Sequence, residues 1–267
     1  MTAGGALPVT VVKFGGAAVA GGPDALARFA RGCAELRQQA RVVVVHGGGP
    51  QITALLGRLG LDSQFRAGLR VSTPEVVSAA RAALLGEVAP DIVMALQRLG
   101  VTALGMSGAD AGVLTARPAQ VALNGESVDL GWVGELAEVN VEVLRRVMEL
   151  GWVPVLASVA PGADGHWFNI NADSAAGVIA GALNATRLVI LTDVPGIYER
   201  WPAAESLLAE ADAETLRGLL PGAERGIRPK ILAVLDALDA GVAEVIVTDA
   251  LGAAGTVCRG SAGTARD

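Results

Sequence analysis

Lysine is nearly absent from this chain. Of its 21 basic residues, 19 are arginine, and Lys13 and Lys230 are the only lysines. Aromatics are scarce too: four Phe, four Trp and one Tyr in 267 residues, so the 52% hydrophobic content rests on alanine, valine and leucine. Two cysteines, Cys33 and Cys258, few and far apart, fit free thiols in a reducing cytosol better than a disulfide framework. No run of 18 apolar residues occurs. The uncharged tract "SAAGVIAGALNAT" (Ser174 to Thr186) is too short and too small-residue-rich for a membrane span and reads as a buried helix. A net charge of −6 without a basic stretch argues against nucleic acid as the partner. The opening "MTAGGALP" has neither a basic nor a long apolar region, so no secretory signal is expected. The chain contains no Gly-Lys dipeptide, which excludes a P-loop, and no GxGxxG, which removes the usual dinucleotide and protein-kinase fingerprints.

What is present is an alternation of short β-branched runs with longer Ala/Leu/Arg segments, the pattern of strands feeding helices in a mostly parallel sheet. Strands are predicted at Val9–Lys13, Arg41–His46, Ala103–Met106, Val153–Leu156, Leu188–Leu191 and Val245–Thr248. Helices are predicted at Asp24–Gln39, Pro50–Leu59, Pro74–Leu99 with a break near Gly86, Asn140–Leu150, Asp173–Leu183, Ala213–Leu219 and Pro229–Ala240. Between Leu114 and Val133, the pieces around Pro118 and the hairpin signal Asn124-Gly125 predict an antiparallel excursion on that sheet. A lobe boundary is expected near residues 178 to 186, dividing 1–180 from 181–267. No Pro/Ser-rich linker marks it, so the two lobes are expected to share one sheet.

Two strands run straight into glycine. "VVKFGG" ends in Gly15 and Gly16, and "VVVVHGGGPQ" carries Gly47, Gly48 and Gly49 before Pro50 opens a helix. Such loops let backbone N–H groups approach an anion, and a helix N-terminus favours negative charge. Neighbouring C-terminal strand ends are also where α/β sheets bind ligands. Lys230 follows Pro229 in the first turn of a helix, where a cation is unfavourable by roughly 0.3–1 kcal/mol. An anionic ligand there would offset that cost, and a compact ammonium can follow a moving phosphoryl group. In "HWFNINADSAAG", Asp173 is either a helix N-cap or a carboxylate that fixes both lysines. Asn169 and Asn171 are read as pointing to opposite faces, one of them toward a ligand.

With "VVKFGGAAV", "VVVVHGGGPQI", "GLRVST", "LGMSGADAG", "DLGWVGELAEVN", "NINADSAAG", "LTDVPGIY" and "GIRPK" in this order, the chain resembles the amino-acid kinase family over roughly residues 9 to 260. Within it, the similarity is to members that phosphorylate an N-acetylated amino acid. The resemblance implies an open three-layer αβα sandwich with a central mostly parallel sheet and two lobes. Its implied activity is ATP-dependent phosphorylation of the side-chain carboxylate of N-acetyl-L-glutamate in arginine biosynthesis, with Mg²⁺ carried by the nucleotide. By motif, Lys13, Lys230 and Asp173 match the catalytic group. Gly48, Gly49, Arg70 and Asn169 match substrate-binding positions, Arg70 gripping the α-carboxylate. Gly15, Gly16, Thr192 and Asp193 fall where the family meets the nucleotide. The stretch "GAERGIRPK" departs from relatives by placing Glu224 and Arg225 in the loop before Lys230, and position 17 is alanine where many have asparagine.

A dicarboxylate and a triphosphate repel each other, so such a protein must neutralise and align rather than supply covalent chemistry. A carboxylate is already ionised at pH 7 and needs no general base, in keeping with only two histidines, His46 and His166. Two other readings stand beside this one. A kinase of the same fold acting on carrier-linked aminoadipate is disfavoured because "GGGPQ" is retained, and a silent amino-acid-binding regulator because both lysines and Asp173 are. Only "MTAGGALP" precedes the first strand, too little for the interlocking N-terminal helix of arginine-inhibited relatives, so an arginine-insensitive homodimer is expected. The scarcity of lysine yields a direct test. Lys13→Arg keeps the charge, yet steady-state assays should show kcat at least about tenfold lower, ~1.4 kcal/mol.

Overall fold

A computed structural model describes residues 7–15, 21–66, 68–123, 126–223 and 227–260. Gly16, Ala17, the Asn124-Gly125 turn, Glu224 and Arg225 lie outside the described residues. The chain runs β1 (Val9–Phe14), α1 (Gly22–Leu36), β2 (Arg41–His46), α2 (Gly49–Arg58), and the two-residue strands β3 (Phe65–Arg66) and β4 (Leu69–Arg70). Next come α3 (Pro74–Ala83), a π-turn (Leu84–Val88), α4 (Ala89–Gln97), β5 (Ala103–Met106), β6 (Leu114–Pro118), β7 (Ala122–Leu123), β8 (Glu126–Ser127), β9 (Val133–Val139) and α5 (Val141–Glu149). The last part comprises β10 (Val153–Ala157), β11 (Val159–Pro161), β12 (Trp167–Ile170), α6 (Ala172–Ala182), β13 (Arg187–Leu191), β14 (Glu210–Asp212), α7 (Ala213–Leu219), α8 (Arg228–Asp239), β15 (Glu244–Thr248) and β16 (Thr256–Arg259).

Eight strands form the central sheet in the order β14-β16-β15-β13-β1-β2-β10-β5. All neighbours are parallel except β15 and β16. Alternate residues of each strand feed opposite cores, as the two-residue period of a pleated strand requires. Val11, Val43 and Val45 pack on one face with Leu144, Ile179 and Val234 from α5, α6 and α8. Val12, Val42 and Val44 pack on the other with Phe29, Ile52, Val76 and Ile92 from α1 to α4. This is the expected three-layer αβα sandwich, built on one continuous eight-stranded sheet. No helix among the described residues is long and apolar enough to cross a membrane.

All six predicted strands are present, with ends within one residue. The short strands β3, β4, β11 and β12, and the central-sheet strands β14 and β16, are not among those the sequence predicts. The excursion is antiparallel where β6 meets β9, but it does not extend the central sheet. Instead β9 pairs in parallel with β12, and a separate four-stranded sheet forms in the order β11-β12-β9-β6. The chain turns out of the main sheet at Ala111 and Gly112, both left-handed with φ of 51° and 60°. The helix expected to break near Gly86 instead continues through the π-turn, in which the Ala89 N–H donates to the Leu84 carbonyl.

The second sheet closes over Gly134, where a Cβ would lie 2.5 Å from the Phe168 Cβ. Phe168 is almost fully buried and meets Trp132 edge-on at 5.5 Å. Truncating so large a ring in so close a fit should cost about 3–5 kcal/mol, so Phe168→Ala should lower the unfolding free energy by that amount in urea titrations.

Candidate active site

The lysine at the end of β1 points into the C-terminal edge of the sheet. Lys13 is 5% exposed, and its Nζ lies 2.7 Å from Asp173 Oδ1. Gly15 makes room for it, since a Cβ at that position would stand 2.7 Å from the ammonium nitrogen. Lys230, in the first turn of α8, places its Nζ 3.4 Å from the other oxygen, Oδ2, of the same carboxylate. The two lysines, 217 positions apart in the sequence, therefore converge on one buried aspartate.

Local chemistry explains why Asp173 is free for this. The N-cap of α6 is Asn171, whose Oδ1 accepts from the Asp173 and Ser174 N–H groups at 2.9 and 3.1 Å. Capping by the neighbour leaves the aspartate side chain to the lysines. Lys230 is brought within reach because α6 and α8 pack through small residues. A Cβ on Gly177 would stand 3.1 Å from the Ala233 carbonyl, and one on Gly181 2.6 Å from the Ala240 Cβ. Asp173, Gly177 and Gly181 repeat every four residues and so share one helix face.

The electrostatics follow from burial. Loss of water opposes ionisation of Asp173, but Lys13 and then Lys230 outweigh it and hold the carboxyl below its usual range. For Lys13 burial is the largest influence and draws its pKa down, Asp173 resists, and Lys230 adds to the lowering. Two cations share one carboxylate, with Asp193 acting on Lys13 from farther off, and among the described residues no second carboxylate forms an ion pair with either lysine, so the cluster favours an anion beside it.

A cleft of about 210 Å³ opens beside Lys13 and Asp173, walled by Gly47, Gly48, Gly49, Arg70, Ser158 and Asn169 among others. Gly48 caps the N-terminus of α2, so free N–H groups border the cleft. Arg70, 6% exposed, donates to Ser63 Oγ, to Thr53 Oγ1 at 2.8 Å and to the Gly49 carbonyl at 3.1 Å, and it lies over the Phe65 ring. No carboxylate pairs with it among the described residues. Asn169 Nδ2 donates to Ser72 Oγ at 3.1 Å, and the Ser72 hydroxyl donates to the Arg70 carbonyl at 2.9 Å. Residues two apart in a strand share a face, and the expectation that Asn169 and Asn171 oppose each other is corrected here. Both line the cleft; they differ because Asn171 has already left β12 to cap a helix.

On the other side of Lys230 lies a second cavity, about 730 Å³, lined by Thr192, Asp193, Tyr198, Trp201, Ile227 and Lys230 among others. Thr192 donates to Asp193 Oδ1 at 3.0 Å. Gly15 sits beneath the Lys13 ammonium, between β1 and the Leu191 carbonyl, and does not line this cavity. His46 is fully buried, its ring Nδ1 3.2 Å from the Gly47 carbonyl; burial pulls its pKa to about 4, so it is neutral at pH 7. Ser72, Ser158 and Thr53 escaped the sequence reading. Ser72 stands inside the motif "GLRVST", but only the fold shows which of those side chains turns inward.

Comparison with known proteins gives the family. The family model described as the amino acid kinase family matches residues 8–249. The acetylglutamate kinase of Salinispora tropica is 46% identical over 240 residues, covering 90% of this chain and 81% of that protein. The acetylglutamate kinase of Corynebacterium glutamicum is 43% identical over 242 residues, covering 90% and 82%. Among solved structures, smu.665 from Streptococcus mutans superposes with a TM-score of 0.82 at 27% identity, covering 94% of this chain and 98% of that one. The chain belongs to the amino acid kinase family.

Proposed function

We propose that this protein transfers the γ-phosphoryl group of ATP to the side-chain carboxylate of N-acetyl-L-glutamate, forming N-acetyl-L-glutamyl 5-phosphate in arginine biosynthesis. The observation that carries this is the buried Lys13–Asp173–Lys230 cluster at the boundary of two cavities, with Lys13 lining one and Lys230 the other. The acyl amino acid takes the cleft built from residues 13–173, and ATP the larger cavity built from residues 192–231. That division corresponds to an N-terminal lobe, 1–180, for the acyl substrate and dimerisation, and a C-terminal lobe, 181–267, for the nucleotide. The same reading makes the enzyme a cytoplasmic homodimer, as the sequence resemblance implies.

In the cleft, the unpaired Arg70 guanidinium receives the α-carboxylate, and the Gly48 and Gly49 backbone and Asn169 hold the rest of the molecule. A side-chain carboxylate oxygen then attacks the γ-phosphorus as the bond to the β–γ bridging oxygen breaks, and ADP departs with that electron pair. Lys13 and Lys230 take up charge on the transferring oxygens, and Asp173 keeps both ammonium groups aimed. Mg²⁺, carried in on the nucleotide, would supply further neutralisation of the phosphoryl charge. Thr192 and Asp193 are among the polar groups of the cavity wall and are offered to the nucleotide. No proton is moved, which suits a site whose nearest histidine, His46, is neutral and buried.

Incubation with ATP, N-acetylglutamate and hydroxylamine should give the hydroxamate of the acyl phosphate; carrier-linked aminoadipate should give none. Arg70→Ala should raise KM for N-acetylglutamate about tenfold or more, the worth of a lost charged hydrogen bond, and leave KM for ATP within about twofold. The pH profile carries a third test. Lys13 must be charged, and its pKa in the free enzyme is below 10.5, so activity present at neutral pH is lost as pH rises through that lowered value. A plot of kcat/KM against pH should therefore fall on an alkaline limb centred below pH 10.5.

A further inference from the structure

The long helix facing the substrate loop contains an irregularity with a visible cause. Pro90 stands inside it, and a proline in a helix both lacks an N–H and drives its ring against the carbonyl four residues earlier, here that of Gly86. The backbone avoids the clash by widening into the π-turn Leu84–Val88 just before the proline, so that the Ala89 N–H reaches back five residues to the Leu84 carbonyl. Such turns insert one extra residue and recur at functional sites. The insertion rotates the side chains that precede it relative to those that follow.

The residues so placed are Leu84 and Val88, 0% and 1% exposed, and they press on the glycine of the loop after β2. A Cβ on Gly48 would stand 2.7 Å from Leu84 Cδ2 and 3.0 Å from Val88 Cγ2, so the two side chains lie in the space beneath the backbone of Gly48. Gly48 in turn is the N-cap of α2 and accepts from the Ile52 N–H at 2.8 Å, which ties its peptide plane to that helix. Gly48 also lines the cleft. Gly48 is thus held between the π-turn and the cleft.

We propose that the π-turn is a positioning element for the acyl-amino-acid substrate, with Leu84 and Val88 setting the height of the Gly48 backbone and the exposed Pro90 holding the turn open. The inference rests on the reading of Gly48 as a substrate-binding position. None of the three side chains touches substrate; they act through Gly48. Removing the proline lets the helix relax toward regular α geometry, which withdraws Leu84 or Val88 from the loop. The helix itself gains a hydrogen bond in the process, so stability and substrate binding should change in opposite directions.

Pro90→Ala should melt at the wild-type temperature or above it, and raise KM for N-acetylglutamate at least about fivefold, with KM for ATP unchanged within about twofold. Leu84→Ala, though less stable as a truncated core side chain, should show the same contrast between the two KM values, and Leu84→Met, which refills the volume, should return KM to within about twofold of wild type. A Pro90→Ala enzyme whose KM for N-acetylglutamate stays within twofold of wild type overturns the proposal, as does a Leu84→Ala enzyme in which both KM values rise together. Wild-type enzyme without turnover of N-acetylglutamate would overturn the substrate reading and this inference with it. An active wild type beside an unchanged Pro90→Ala overturns this inference alone.

Discussion

Asp173 is the constraint on which the rest of the structure depends. A carboxylate out of water is costly unless paired, and here it is paired twice, on separate oxygens, with ammonium groups delivered by opposite ends of the chain. Each partner requires its own scaffold. Lys13 needs a parallel strand in the middle of the sheet and a glycine two residues on. Lys230 needs a helix that packs against α6 closely enough for a side chain to cross. The small residues of "SAAGVIAGALNAT", which rule out a membrane span, supply that close packing. A single salt-bridged cluster thus links the central sheet to two helices, and it favours an anion where two anionic molecules would meet.

The same constraint accounts for the choice of lysine in an arginine-rich chain. A guanidinium is a planar fork suited to a fixed bidentate partner, and Arg70 shows that use, splayed over Ser63, Thr53 and the Gly49 carbonyl. Under the proposed function, the two positions at the cluster instead need a compact charge that can shift from a carboxylate to a phosphoryl oxygen. Composition and geometry therefore select the same two residues for the same reason.

Much of the site could be read from the chain because its signals are local: glycine after a strand, proline opening a helix, lysine where lysine is rare, an aspartate just inside a helix. The parts that could not be read depend on contacts across long separations. Ser72 meets Asn169 across 97 positions, and no pattern near either residue announces the pairing. Asn171 as the cap of α6, with Asp173 thereby released, was hidden because both residue types favour that position. The second sheet reads from sequence as an extension of the first because alternation marks strands but not the sheet they join. Gly86 drew attention to the middle of the long helix, yet it is the clash of Pro90 that shapes the backbone there, and a widened turn rather than a break results.

The central claim is that both ammonium groups gather on the phosphoryl group as it passes between the two substrates. A crystal structure of the enzyme with ADP, Mg²⁺, tetrafluoroaluminate and N-acetylglutamate tests this most directly, because the planar fluoroaluminate stands in for the phosphoryl group in transit. The account requires Lys13 Nζ and Lys230 Nζ each within about 3 Å of a fluorine, as charge-assisted contacts demand, while both still touch Asp173. A fluoroaluminate bound in line between the substrates but contacted by only one lysine, or by neither, would contradict it.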